Sequence, residues 1–107
     1  MKPHILILGS GRSSFHLIEY LIQQADTESW KITIADRFFA PVWDVFKNHP
    51  RTTWIELDLN SSAEWDRLFN GIYFVISLLP PSWHVKVAQK ALENNIHMAT
   101  ASYLSPE

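Results

Sequence analysis

His4-Ile5-Leu6-Ile7-Leu8-Gly9-Ser10-Gly11-Arg12-Ser13-Ser14 is the stretch that decides the fold. Ile5 to Leu8 form an unbroken apolar run of β-suited residues, as a strand buried on both faces requires. Gly9 and Gly11 punctuate that run. Apolar residues then return at helical spacing at Phe15, Ile18, Leu21 and Ile22, with Leu17 and Ala25 widening the stripe. The reading is a buried strand, a glycine turn and a helix. Such a helix start carries backbone N–H groups without intrahelical partners at the positive end of the helix dipole, which suits a phosphate or pyrophosphate. The spacing is G-x-G-x-x-S, with Ser14 where a third small residue lets helix pack closely on strand. Gly9 allows the sharp turn, and Gly11 lets the backbone approach the phosphates. The alternative for this stretch is an ordinary tight βα turn that binds nothing.

The rest of the composition narrows the class. A chain of 107 residues is expected to form one domain with a real core. Its hydrophobic share of 47% is ordinary, and a net charge of −2 supplies no basic footprint for nucleic acid. No apolar run approaches the roughly 18 residues of a membrane span. The first strand begins almost at Met1, which leaves no room for a targeting segment, so a cytoplasmic location is expected. With no cysteine, disulfides, zinc–thiolate sites and a cysteine nucleophile are excluded. Neither paired carboxylates at acid/base spacing nor a His/Asp/Glu cluster at metal-ligand spacing stands within one element, so no metal is expected.

Working outward, Ala25-Asp26-Thr27-Glu28-Ser29 reads as a polar connection, and Ile32, Thr33 and Ile34 as the β-branched heart of a second strand. Asp36 closes that strand, 25 positions after Gly11, a little beyond the roughly 20 at which an acidic residue grips the adenosine ribose. A carboxylate there accepts from both ribose hydroxyls and repels a 2′-phosphate, which favours NAD. Arg37 points the other way, since its guanidinium can stack on adenine or pair with a 2′-phosphate. The plain reading of Asp36 is a helix cap or turn residue.

A short helix follows with Pro41 in its first turn and Val42, Trp43, Val45 and Phe46 as its apolar side, and His49-Pro50 ends it. Thr52 to Leu57 is a third strand whose polar alternation places it at a sheet edge. Asp58, after it, either approaches the adenine or makes a strand-end turn. Ser61 and Glu64 have capping-box spacing, Trp65, Leu68 and Phe69 form the inner side of the next helix, and Gly71 stops it. Tyr73 to Leu79 is a central fourth strand halted by Pro80-Pro81. Ser82 to Asn94 is a helix with Val85, Ala88, Ala91 and Leu92 inward, and His97 to Thr100 is a fifth strand. His84 reads as a packing or surface histidine, and the five tryptophans as core and edge packing.

Strands alternating with helices over short connections predict an α/β, Rossmann-like doubly wound parallel sheet, ordered 3-2-1-4-5 with helices on both faces. Ligands in such sheets lie in the crevice at the carboxyl ends of the strands, where the strand order reverses. Ser77 and the Leu79-Pro80 backbone are placed to line the nicotinamide half of that crevice.

Three stretches together resemble the N-terminal NAD(P)-binding domain of the saccharopine dehydrogenase (saccharopine reductase) family. They are Ile7-Leu8-Gly9-Ser10-Gly11-Arg12-Ser13-Ser14, then Val75-Ile76-Ser77-Leu78-Leu79-Pro80 with His84 and Val87-Ala88, and Thr100-Ala101-Ser102-Tyr103-Leu104-Ser105-Pro106-Glu107. The resemblance implies that Gly9, Gly11, Arg12, Ser13 and Ser14 surround the pyrophosphate of NAD or NADP. It implies Asp36 and Arg37 around the adenosine ribose, Asp58 with Leu59 at the adenine, and Ser77, Leu79 and Pro80 on the nicotinamide ribose side. Thr100, Ser102 and Tyr103 would stand where cofactor and substrate meet.

In that family the chain continues into a second, catalytic domain, and the enzymes interconvert saccharopine with its precursors by hydride transfer in lysine metabolism. The expectation is therefore a 1–107 cofactor domain of a saccharopine-dehydrogenase-like oxidoreductase, inactive alone because the C-terminal catalytic domain is missing. The alternative is a stand-alone NAD(P) sensor. A methyltransferase is disfavoured, because a phosphate-ready turn is wasted on S-adenosylmethionine. Association of two copies through the fifth strand's open edge is expected, because an unpaired edge is a template for pairing.

Overall fold

The computed structural model describes residues 3–10 and 15–100. Five strands, β1 (His4–Leu8), β2 (Lys31–Asp36), β3 (Thr52–Glu56), β4 (Phe74–Ser77) and β5 (His97–Thr100), form one sheet in the order β3-β2-β1-β4-β5. Every pairing is parallel. The predicted strand order is therefore the observed one. β1 is the middle strand, and Leu6, Ile7 and Leu8 are wholly buried because both faces of the sheet are covered there.

Two apolar layers cover those faces. On one, Leu6, Leu8, Ala35 and Val75 meet Trp65 and Phe69 of α2 (Ser62–Phe69) and Val87 and Ala91 of α3 (His84–Glu93). On the other, Ile5, Ile7, Ile32 and Ile34 meet Ile18, Ile22 and Ala25 of α1 (Phe15–Glu28) together with Phe39 and Trp43. Trp43 is the hub of an aromatic group, with ring centroids 5.1 Å from Phe15 and 5.6 Å from Trp54. Trp65 and Trp83 stack on the opposite layer at 6.2 Å, with the Lys86 ammonium 4.7 Å from the Trp65 ring. The tryptophans pack, as expected.

Several local expectations change. The polar run after Ala25 is helical to Glu28, and the helix closes at Ser29, whose φ is +62°. The Trp30 amide then donates to the Ala25 carbonyl at 3.1 Å, the long-range bond of a Schellman stop, here without glycine. The segment Pro41–Phe46 is a 3-10 helix. With three residues per turn, Trp43 and Phe46 share one side and Val42 and Val45 fall on another, so the two valines are exposed and only the aromatics pack. In α3 the inward column is Val87 and Ala91, whereas Val85 and Leu92 are exposed. A 3-10 turn over Pro81–Trp83 and a hydrogen bond from His84 Nε2 to the Leu79 carbonyl (3.0 Å) set this phase. β4 is shorter than its apolar run, because β1 turns away at Gly9 and the last ladder bond is Leu78 N–H to the Leu8 carbonyl, 2.7 Å. Ser61 caps α2 by accepting from the Glu64 amide, but the Glu64 carboxylate accepts from the Asp58 amide, so only half of the capping box forms.

At the amino end of the sheet, His4 Nε2 lies 2.6 Å from Thr33 Oγ1. Burial, and then the neighbouring Lys31 charge, hold its pKa below the usual histidine range. A histidine that resists protonation in the fold but not in the unfolded chain contributes stability that is complete above the unfolded value of about 6.5 and declines as pH falls through it. Urea unfolding between pH 8 and pH 5.5 should show that decline, and His4→Gln should flatten it. Equal pH dependence in both proteins would refute the assignment.

Gly9 has φ +98°, and a Cβ there would lie 2.9 Å from the Leu78 carbonyl carbon. Gly71 shares the left-handed backbone (φ +78°) but faces open space. Gly71→Ala should cost about 1–2 kcal/mol for the backbone alone. Gly9→Ala should cost a further ~1–3 kcal/mol for the overlap, because main chain on both sides leaves nothing to yield. Denaturant midpoints of the two variants measure the difference; equal losses would mean that the close approach is immaterial.

Candidate nucleotide site

The carboxyl ends of β1, β2 and β4 meet at Gly9 and Ser10. The Gly9 amide donates to the Ala35 carbonyl at 2.8 Å, extending β1 one step along β2, while its missing side chain lets the Leu78-Leu79 main chain lie against it. Ser10 is buried and fixed at all its polar groups. Its amide and its hydroxyl both donate to Asp36 Oδ2, each at 2.8 Å, and its carbonyl accepts from Trp43 Nε1 at 3.1 Å. The Arg37 amide donates to the other carboxylate oxygen, Asp36 Oδ1, at 2.6 Å. Asp36 thus ties the exit of β1 to the exit of β2.

This arrangement assigns different positions to the two neighbours that sequence sets in opposition. The Asp36 carboxylate is half-buried and engaged within the protein. Arg37 is exposed, and its guanidinium makes no ion pair among the described residues. Phe38, next in the chain, is 68% exposed, an apolar ring left in solvent beside that cation.

The adenine-side candidates are drawn into the loop after β3. The Leu57 amide donates to the Asp36 carbonyl at 2.8 Å, which brings this loop beside the end of β2. Asp58 makes the strand-end turn: its carboxylate accepts from the Asn60 amide at 2.9 Å and its carbonyl from the Ser61 amide at 3.0 Å. The Leu59 side chain is buried in the α2/α3 layer, and its carbonyl accepts from Trp65 Nε1 and the Lys86 ammonium.

On the other side of Gly9, Ser77 is wholly buried, in register with Leu8 of β1 and Thr100 of β5. Its hydroxyl is the one buried side-chain polar atom without a hydrogen-bond partner among the described residues. It lies between β1 and β5 and is closed to solvent. The Leu79 side chain is buried and its carbonyl is taken by His84, while Pro80 is exposed. A carbonyl only accepts, so His84 carries its proton on Nε2 and serves to fix the loop after β4. Gly11, Arg12, Ser13, Ser14, Ser102 and Tyr103 lie outside the described residues.

Sequence reasoning missed Ser10 and Trp43. Ser10 occupies the variable position of G-x-G, and only the proximity of Asp36 reveals what its hydroxyl does. Among the described residues, no cluster of His, Asp and Glu suits a metal ion, and no helix is long and apolar enough to cross a membrane.

Residues 5–107 match the family model described as the saccharopine dehydrogenase NADP binding domain. Saccharopine dehydrogenase [NADP(+), L-glutamate-forming] of Schizosaccharomyces pombe is 30% identical over 98% of this chain, which spans 23% of that protein. Mouse mitochondrial alpha-aminoadipic semialdehyde synthase is 31% identical over 98% of this chain, which spans 11% of that protein. The apo structure of L-Glu-forming saccharopine dehydrogenase from Saccharomyces cerevisiae superposes with a TM-score of 0.76 at 29% identity, over 97% of this chain and 22% of that one. With the family model matched over nearly the whole length, the chain belongs to the saccharopine dehydrogenase NADP-binding domain family.

Proposed function

We propose that this domain binds NADP for a saccharopine-dehydrogenase-type oxidoreductase of lysine metabolism, with the adenosine 2′-phosphate held by Arg37. The observation that carries the reading is the division of labour at the end of β2. Asp36, which would repel a 2′-phosphate and favour a free ribose, spends its carboxylate on Ser10 and the Arg37 amide. Arg37 is left exposed, with a planar fork of donors suited to a phosphate. Phe38 offers an adjacent face for the adenine. Gly9 brings main chain close enough for the pyrophosphate to approach, with Gly11, Arg12, Ser13 and Ser14 completing that turn, and Asp58 and Leu59 border the adenine through the β3–α2 loop.

On the nicotinamide half stand Ser77 at the end of β4, Thr100 in register with it on β5, and Leu79 and Pro80 in the loop that follows β4. The cofactor, when bound, supplies a hydride acceptor or donor at its nicotinamide ring. The residues of this chain hold and orient it, and Ser102 and Tyr103 border the substrate. The remaining substrate site belongs to further domains of the kind that make up most of the relatives' length. Two copies associate through the edge of β5.

Titration calorimetry with NADP⁺ and NAD⁺ tests the reading. The wild-type chain should prefer NADP⁺. Arg37→Ala should weaken NADP⁺ at least tenfold, as loss of charge-assisted bonds of about 1.5–3 kcal/mol implies, while NAD⁺ affinity changes less than threefold. Equal weakening of both would place Arg37 away from the phosphate.

A further inference from the structure

We infer that Ser10 determines cofactor preference without touching the 2′-phosphate, by keeping the Asp36 carboxylate away from the adenosine ribose. The inference rests on the proposed nucleotide site and specifies how that site selects.

An ionised carboxylate has about four acceptor positions. In Asp36 three are filled from within the chain: two on Oδ2 by the Ser10 amide and hydroxyl, and one on Oδ1 by the Arg37 amide. Gripping a ribose diol takes two free acceptor positions, one for each hydroxyl, and the latched carboxylate has one. The latch therefore removes the usual advantage of the unphosphorylated ribose and draws the negative charge toward the β1 exit. It leaves the exposed Arg37 as the group that meets the 2′ position.

The Ser10 hydroxyl is the element of this latch that a side-chain change can remove. Its amide is main chain, fixed by the Gly9 turn. Its carbonyl is held by Trp43 Nε1, so the residue stays in place when the hydroxyl is gone. Ser10 is also buried, which keeps water from substituting for the lost donor. With alanine at position 10, Asp36 keeps two internal donors and regains a second acceptor position. It can then turn toward a ribose diol and oppose a 2′-phosphate. Ser10 is a positioning residue acting through Asp36.

The test compares dissociation constants for NADP⁺ and NAD⁺ in the wild-type chain, Ser10→Ala, Asp36→Ala and the double variant, with thermal unfolding of each. Ser10→Ala should move the NAD⁺/NADP⁺ preference roughly five- to tenfold toward NAD⁺, the scale of one hydrogen bond to a charged group. In the Asp36→Ala background the same substitution should leave the preference unchanged, because the group it releases is absent. A merely structural role would weaken both nucleotides together and leave the ratio intact, which would overturn the inference. So would an equal ratio change in the Asp36→Ala background. Should Ser10→Ala fail to fold, Ser10→Cys, which keeps a weaker donor, should shift the ratio in the same direction by less; an unchanged ratio there overturns the inference. If the wild-type chain binds neither nucleotide, the proposed function fails and this inference with it. If the wild type binds NADP⁺ and only the ratio fails to move, the latch alone is wrong.

Discussion

The contact between the Gly9 main chain and the Leu78-Leu79 main chain is the constraint around which the site is built. Two parallel strands side by side diverge after their last ladder bond, and each must leave room for the other's exit. Here β1 leaves through a residue with φ +98° and no side chain, and β4 leaves within 3.0 Å of where a Cβ would stand. That close passage brings the exits of β1 and β4 into one crevice. It also ends β4 early and sends its chain into the Pro80-Pro81 turn. From there His84 fixes the phase of α3, which settles the residues completing the α2/α3 layer.

Rigidity at the other end of the crevice has a different source. Ser10 is held through a carboxylate, a carbonyl and an indole contributed by β2 and the 3-10 helix. None of these bonds lies within a strand or helix, yet each satisfies a polar group that would otherwise be buried without a partner. Gly9 and Ser10 are thus mounted on the sheet before any ligand arrives. Preorganisation of this kind lowers the ordering cost that binding must offset.

Much of the fold was legible in the sequence because strand order follows from alternation and from handed crossovers, which local pattern reveals. Ile5 to Leu8 could only be a central strand, and the outward polar residues of Thr52 to Glu56 could only suit an edge. Helix phase was less legible. Val42 and Val45 look inward on a 3.6-residue wheel and outward on a three-residue one, and nothing local separates the two. Val85 and Leu92 face outward because α3 is entered through a 3-10 turn with His84 tethered five residues back at the Leu79 carbonyl, a local geometry that an apolar pattern alone does not display. In the site, the residue types at Gly9, Asp36 and Arg37 suggested a nucleotide, but the direction in which Asp36 spends its charge was hidden. That depends on Ser10, 26 positions away in sequence and adjacent only across the β1–β2 pair.

Trp43 joins the core to the crevice. Its ring fills the α1 layer among Phe15, Phe46 and Trp54, while its one polar atom supports the Ser10 carbonyl. A core position normally drifts freely among apolar residues of similar volume, since packing tolerates such exchange. This one cannot, because no other aromatic side chain offers a donor at the same reach together with the same bulk. Replacing Trp43 would therefore both open the aromatic layer and leave the buried Ser10 carbonyl without its donor, so one substitution would loosen the core and the turn together.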